Sequence, residues 1–311
     1  MKLENKEKKV VLVTEIHRGE IISILDGKKL RIKIGGSFLK SSKTERNFVT
    51  VGDKIVITFD KRANRYILLD KLERKNQISR QDPFLAHMSH IIAANIDYLG
   101  VVLSLKEPDI SWELADRYFI SADKYNIPIL LILSKVDLLT EDEIAALPLD
   151  IYRNLGIEII LTSSEKDIGI QEVKDKVRDK VTLFSGPSGA GKSTLLNLLN
   201  PEKQQKTSNV SSKDKRGRHT TRATRLVPLR DGGFIIDSPG IQDFTLDKIE
   251  FLDIKKHYTD FYPYAESCKY KNCTHTHEKV CGVLDALKEN KISQLRYKIY
   301  LTILEDYGFI E

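Results

Sequence analysis

Gly186-Pro187-Ser188-Gly189-Ala190-Gly191-Lys192-Ser193-Thr194 has the glycine spacing and the Lys-Ser-Thr ending of a loop that cradles phosphate. Glycines let successive backbone N–H groups converge on one concavity, and a helix N-terminus behind them adds a dipole that favours an anion. Lys192 brings a point charge to the outer phosphates of a nucleotide and is the first candidate catalytic residue. Ser193 offers a hydroxyl to Mg²⁺, a hard ion that takes oxygen ligands.

Downstream, Phe234 to Asp237 reads as a buried strand followed by the turn Ser238-Pro239-Gly240. A carboxylate at such a strand end can hold Mg²⁺ through water, and the Gly240 N–H can bond the γ-phosphate, so the turn senses whether that phosphate is present. Between loop and strand, residues 203–225 carry eight basic residues and one acidic residue. Such a stretch buries too little apolar surface to order itself. Thr220 or Thr221 within it is the expected second hydroxyl ligand to Mg²⁺. Ile241 stands where many nucleotide hydrolases place a Gln that orients the attacking water. Ile can neither donate nor accept, so His219 is the second candidate catalytic residue.

Upstream, the apolar run Ile129 to Leu133 ends in Ser134-Lys135-Val136-Asp137, which resembles the base-reading Asn-Lys-x-Asp segment of GTPases. Asp137 would accept from guanine's two donors, which adenine lacks, while the Lys135 stem packs over the ring. Ser134 cannot make the amide contacts of Asn, which predicts a weaker hold on the base. A further strand, Ile157 to Leu161, runs into Thr162-Ser163-Ser164, where Ser163 and Ser164 resemble a second base-contacting turn. Base reader and Ser turn thus precede the phosphate loop, the reverse of the usual order. A parallel α/β sheet tolerates such reopening because its termini lie close together.

Cys268-x4-Cys273-x-His275-x5-Cys281 contains all three cysteines of the chain. Three thiolates and one imidazole match a closed tetrahedral Zn²⁺ site, which is structural because four protein ligands leave no open position. A disulfide framework would leave one thiol over. His277 is a rival to His275 as the fourth ligand.

The permuted order, Ala93-Ala94-Asn95-Ile96-Asp97, Gly217-Arg218-His219-Thr220-Thr221, Asp237-Ser238-Pro239-Gly240 and the Cys₃His cluster together resemble the bacterial ribosome small subunit-dependent GTPase A family. The resemblance spans nearly the whole chain. It implies a multi-domain α/β protein: an N-terminal OB-fold β-barrel, a circularly permuted P-loop GTPase domain with a parallel sheet, and a C-terminal helical zinc-binding domain. It also implies hydrolysis of GTP to GDP and phosphate, stimulated by the small (30S) ribosomal subunit and its rRNA, late in subunit maturation. One structural Zn²⁺, and Mg²⁺ with GTP, are the implied cofactors.

The positioning elements can be read independently. Residues 1–75 show five short strand-like runs, Val10–Ile16, Glu20–Leu25, Lys29–Ile34, Lys54–Phe59 and Tyr66–Leu69, the pattern of a small five-stranded barrel. They hold 19 Lys and Arg against 10 Asp and Glu. Arg18, Lys28, Lys29, Arg31, Lys33, Lys40, Lys43 and Arg46 would make an RNA-binding surface whose affinity falls with salt. Residues 76–90, polar and containing Pro, read as a linker. Residues 91–246 follow the βαβ rhythm of the GTPase domain, with strands Tyr98–Leu105, Ile129–Leu133, Ile157–Leu161 and Val181–Phe184 and helices Ser111–Tyr125 and Ile168–Lys180. Residues 247–311 form the zinc-binding helical domain.

Hydrophobic content of 41% with 30% charged residues suits a soluble globular protein. No apolar run approaches the roughly 20 residues that span a membrane, and the N-terminus lacks an apolar signal region. A cytoplasmic monomer is expected. Two other classes share these features: a metabolic P-loop ATPase, against which Asp137 argues, and an RNA-binding module whose nucleotide is structural.

Overall fold

A computed structural model describes residues 7–17, 20–25, 27–34, 48–61, 63–81, 89–200, 224–237 and 249–310. The chain divides into two compact units, one of Met1–Gly100, Ile170–Ser185 and Lys192–Gln242, the other of Val101–Gly169, Gly186–Gly191 and Asp243–Glu311.

In the first unit, β1 (Lys8–His17), β2 (Glu20–Leu25), β3 (Lys28–Lys33), β4 (Lys54–Asp60) and β5 (Arg65–Lys71) follow the order β1-β2-β3-β5-β4 and close through β1–β4 pairing. The β3–β5 pair is parallel and the others antiparallel. Closure follows from alternation: Val11, Val13, Ile21, Ile32, Ile55, Ile57 and Leu68 face inward and form one buried cluster. Lys28, Lys29, Arg31 and Lys33 are exposed on β3. Arg18, Lys40, Lys43 and Arg46 lie outside the described residues.

The segment that composition marks as a linker is not unstructured at its ends. β6 (Gln77–Gln81) pairs antiparallel with β7 (Ser89–Ala94). These strands carry no clean apolar alternation, so their signal in sequence is weak. Side-chain amides organise the junction instead: Asn76 Nδ2 donates to Ile96 O at 2.9 Å, and Asn95 Nδ2 to Gly52 O at 2.9 Å. Arg74 donates to both carboxylate oxygens of the fully buried Asp53, at 2.7 and 2.8 Å, and to Gln77 Oε1 at 2.8 Å. Satisfied buried polar groups therefore join barrel and hairpin, beside buried apolar residues such as Val51, Ile78 and Ala93.

The same unit holds β11 (Val181–Ser185), β12 (Arg225–Pro228) and β13 (Phe234–Asp237), in the order β11-β13-β12-β1. β11 and β13 run parallel, with Val181 opposite Phe234 and Thr182 opposite Ile235. β12 is antiparallel to β13 and meets β1 at Glu15 opposite Arg225. Helices α4 (Ile170–Val177) and α5 (Lys192–Leu199) belong here too.

In the second unit β8 (Tyr98–Ser104), which enters it at Val101, lies beside β9 (Ile129–Ser134), and β9 is parallel to β10 (Glu158–Leu161). Helix α1 (Trp112–Lys124) starts where Ser111 Oγ accepts the Leu114 N–H at 3.1 Å, and it buries Ala115, Tyr118 and Phe119. Short helices α2 (Glu141–Ala145) and α3 (Leu149–Asn154) separate β9 from β10. The C-terminal helices, Phe251–His257, Tyr262–Ala265, Gly282–Lys288 and Gln294–Asp306, share a core of Ile254, Tyr258, Phe261, Val283, Ile299, Tyr300 and Ile303.

Two opposite charges, Arg296 and Asp116, are fully buried there. Arg296 is fully buried; it donates to Asp116 of α1, lies 3.2 Å from Asp260 and stacks 4.1 Å from the Tyr258 ring centroid. Tyr258 donates to Asp116 Oδ2 at 2.8 Å. His257 sets Nδ1 2.7 Å from Asp123 Oδ2 and Nε2 3.9 Å from Asp116 Oδ1. Burial penalises the His257 cation, yet Asp116 and Asp123 outweigh it and raise its pKa. Burial acts against the Asp116 carboxylate too, and Arg296 with His257 reverses that and holds its pKa below the usual value.

Candidate nucleotide and metal sites

The phosphate loop connects β11 to α5, and its glycines are fixed by backbone geometry. Gly186, Gly189 and Gly191 have φ of 148°, 82° and 81°, conformations that side chains disfavour. A Cβ on Gly186 would lie 2.1 Å from Val102 O, so the loop can begin only with glycine. Ala190 is fully buried, Pro187 half-buried, and Ser188 and Gly189 exposed. Lys192, Ser193 and Thr194 form the first turn of α5, with Ser193 and Thr194 exposed.

Ser134 ends β9 and contacts this loop. Its hydroxyl lies 2.7 Å from Ala190 O and 3.3 Å from Leu103 O, and the Ala190 carbonyl is the nearer acceptor. The sequence predicts a weaker hold on the base here, because Ser lacks the amide of Asn. A hydroxyl on Cβ nevertheless makes the tie between base-reading segment and phosphate loop, because the two backbones approach closely here.

Lys135 has φ of 62°, and its ammonium donates to Glu107 O in the loop after β8. Pro108 of that loop brings its Cδ to 3.4 Å from a Cβ built on Gly189. Val136 opens a single 3₁₀ turn, Val136–Leu138, and its N–H donates to Thr162 O at 3.1 Å. Asp137 sits half-buried in that turn, and its carboxylate has no hydrogen bond among the described residues. Ser163 is fully buried and exchanges backbone hydrogen bonds with Ile168 at 3.0 Å in both directions; Ser164 is exposed. Ser134 is thus tied to Ala190 of the phosphate loop, and Val136 to Thr162 before the Ser turn, by short bonds within one unit. Glu107 and Pro108 carry no sequence signal, because only the fold brings them to the loop.

In the first unit, Asp237 ends β13, and Arg225 Nε and Nη2 both donate to its Oδ2 at 3.1 and 2.9 Å. The parallel pairing of β11 and β13 brings the C-terminal ends of both strands to one edge, so Asp237 and the strand that feeds the phosphate loop end together. His219, Thr220, Thr221, Gly240 and Ile241 lie outside the described residues.

Cys268, Cys273, His275 and Cys281 converge, with one ligand atom from each within 4.8 Å of the rest. His275 Nδ1 is 3.5 Å from Cys268 Sγ and 3.4 Å from Cys281 Sγ, and the two sulfurs are 3.8 Å apart. A tetrahedral ion with bonds of about 2.3 Å to sulfur and 2.0 Å to nitrogen spans ligand edges of roughly 3.5–3.8 Å, so the cluster fits a metal ion. His277 is exposed, with Nδ1 2.8 Å from Thr276 Oγ1, and does not join it.

Burial pushes the Cys273 thiol up to about 12, and burial with the Lys255 ammonium brings His275 down to about 4. Metal binding to such thiols releases protons. Tyr297 donates to His275 O and Tyr300 to Thr274 O, both at 2.8 Å, and so hold the backbone of the cluster. Glu278 accepts the Thr274 and Thr276 N–H groups at 2.5 and 3.0 Å; burial opposes its charge, but these bonds lower its pKa to about 2.

A model of the RsgA GTPase family matches residues 71–247. The small ribosomal subunit biogenesis GTPase RsgA of Phocaeicola vulgatus is 36% identical over 288 residues, covering 92% of this chain and 93% of its own. Its namesake RsgA 2 of Bacteroides thetaiotaomicron is 36% identical over 284 residues, covering 90% and 91%. Among solved structures, YjeQ from Thermotoga maritima aligns with a TM-score of 0.73 at 24% identity, covering 98% of this chain and all of that one. YloQ, described as a circularly permuted GTPase, aligns at 0.72 and 24%, covering 99% and 98%. These two likenesses establish the shared permuted fold. A closed five-stranded barrel, a phosphate loop tied to a base-reading segment that precedes it in the chain, and relatives matched along nine-tenths of their length leave one assignment: the chain belongs to the RsgA GTPase family and is a GTP-hydrolysing enzyme.

Proposed function

We propose that this GTPase binds the small ribosomal subunit late in its maturation and uses GTP hydrolysis to time its release. The observation that carries the reading is the Ser134–Ala190 bond, which makes base recognition and phosphate binding one site in a chain of this family. Asp137 reads guanine, Lys135 covers the ring, and Val136, Ser163 and Ser164 shape the base pocket. Gly186 to Thr194 hold the phosphates, and Lys192 neutralises charge on the transferring phosphoryl group. Ser193, Asp237 and either Thr220 or Thr221 would hold Mg²⁺, whose chemistry is to offset charge between the outer phosphates. Gly240 bonds the γ-phosphate, and His219 orients water when the subunit is bound.

The exposed lysines of β3 suit contact with rRNA phosphates, and the relatives named for small-subunit biogenesis point to the same partner. Cys268, Cys273, His275 and Cys281 would hold one Zn²⁺, the ion that best suits three thiolates and one imidazole. The domains run 1–75, 91–246 and 247–311, with 76–90 as their connector. No helix among the described residues is long and apolar enough to cross a membrane, and we assign a monomer acting in the cytoplasm. The test is hydrolysis of GTP, with ATP as control, titrated with isolated small subunits. Turnover that rises several-fold and saturates is expected; turnover indifferent to subunits overturns the reading.

A further inference from the structure

Asp237 and Arg225 are opposite one another in the antiparallel β12–β13 pair, so both side chains project from the same face. The guanidinium gives two N–H groups to a single carboxylate oxygen, at 3.1 and 2.9 Å. Across β12 the other neighbour of Arg225 in the register is Glu15 of β1. Arg225 therefore stands in a row between two carboxylate-bearing positions of different strands. Glu15 has cations of its own, His17 Nε2 at 2.9 Å and Lys29 Nζ at 3.3 Å, which leaves Asp237 as the carboxylate that Arg225 serves.

A hard dication and a guanidinium make opposing demands on that carboxylate. Mg²⁺ needs near-ideal octahedral geometry at close range, whereas the guanidinium claims the oxygen from the side with a planar fork. With Mg²⁺ away, the charge of Asp237 at the end of β13 opposes the phosphates of an incoming nucleotide, and the guanidinium offsets part of that charge. With Mg²⁺ present, the same guanidinium is a competitor. At side-chain exposures of 43% and 36%, the pair is accessible enough to open without disturbing the sheet.

We propose that Arg225 is a positioning residue for the metal: it keeps Asp237 in charge balance while Mg²⁺ is absent and yields it on loading, so that Arg225 and Mg²⁺ compete for one carboxylate. This rests on the reading of Asp237 as a Mg²⁺ ligand. Removing Arg225 then has two opposite effects. Nucleotide without metal binds less well, and metal is taken up at lower concentration. An ordinary surface ion pair that merely steadies the hairpin would produce neither of these opposed effects.

The experiment is equilibrium binding of fluorescent GDP to the full-length protein, in chelator and across a Mg²⁺ titration, for wild type, R225Q, R225K, D237N and R225Q/D237N. R225Q is expected to weaken metal-free GDP binding and to lower the Mg²⁺ needed for half-maximal tightening, each by roughly two- to fivefold, the range a partly exposed ion pair spans. R225K keeps the charge without the fork and falls between. D237N is expected to raise the Mg²⁺ requirement and to make R225Q silent in the double variant. A Mg²⁺ requirement that R225Q leaves unchanged or raises, while D237N still raises it, overturns the competition and spares the Asp237 assignment. If D237N itself leaves the requirement unchanged, Asp237 is no ligand and both ideas fall. Circular dichroism of each variant separates these outcomes from misfolding.

Discussion

The Ser134 hydroxyl lies 2.7 Å from the carbonyl oxygen of Ala190, 56 residues further along the chain, and this bond links the base-reading turn to the phosphate loop. Its loss leaves a buried residue's carbonyl short of a partner, which costs about 1 kcal/mol. S134A should therefore lower the melting temperature by about 2–4 °C and, because it loosens the loop, weaken GTP binding in a fluorescent-nucleotide titration. Equal affinity in variant and wild type would show that the tie does not shape the site.

In the proposed site, nucleotide choice turns on Asp137. D137N loses a charge-assisted acceptor, worth about 1.5–3 kcal/mol, so GTP affinity should fall by roughly one to two orders of magnitude. ATP affinity should stay where it is. A variant that keeps the wild-type GTP-to-ATP ratio would remove Asp137 from base recognition.

Cysteine 273 is buried among its partner ligands. C273S should lose bound metal and destabilise the C-terminal helices by several kcal/mol, lowering their melting by on the order of 10 °C. Elemental analysis of wild type should give about one zinc per chain, as a four-ligand site predicts. Folded wild-type protein without metal would count against a structural role.

Arg296 and His257 set the stability of the same helices in different ways. R296M strips the buried Asp116 of its cation, a change that costs about 3–5 kcal/mol when one partner of a buried pair is removed. His257 has a raised pKa in the folded state, so its contribution is fully present below the unfolded value of about 6.5 and fades as pH rises through the folded value. Melting temperatures from pH 5.5 to 9 should fall for wild type relative to H257Q. Parallel profiles would mean that His257 does not carry the linkage.

Much of this was legible because the relevant signals are local. Lys192–Leu199 and Phe234–Asp237 occupy the spans that the loop motif and the apolar run predict, and the five barrel strands fall within two residues of their alternation pattern. What escaped depends on distant backbone. β6 and β7 are held by Asn76, Arg74 and Asn95 rather than by apolar alternation. β12 follows a basic stretch that reads as unable to order itself, yet Arg225 finds Asp237 across the ladder. The Ser134–Ala190 bond was hidden for the same reason: a side chain's reach is known only when the acceptor's place is known.

β1 divides its ladder, with Lys8 to Leu12 bonded to β4 and Val13 to His17 facing β2. The side of its second half left over by β4 is where Glu15 meets Arg225 of β12. An uncovered strand edge is a template for pairing with other chains, and β12 is made some two hundred residues after β1. Because N-terminal domains generally fold first during synthesis, the barrel is complete when β12 leaves the ribosome, and its edge meets a finished partner in its own chain. The β1 edge therefore stays uncovered until β12 is made, and the cover that β12 provides protects the finished protein rather than the growing chain.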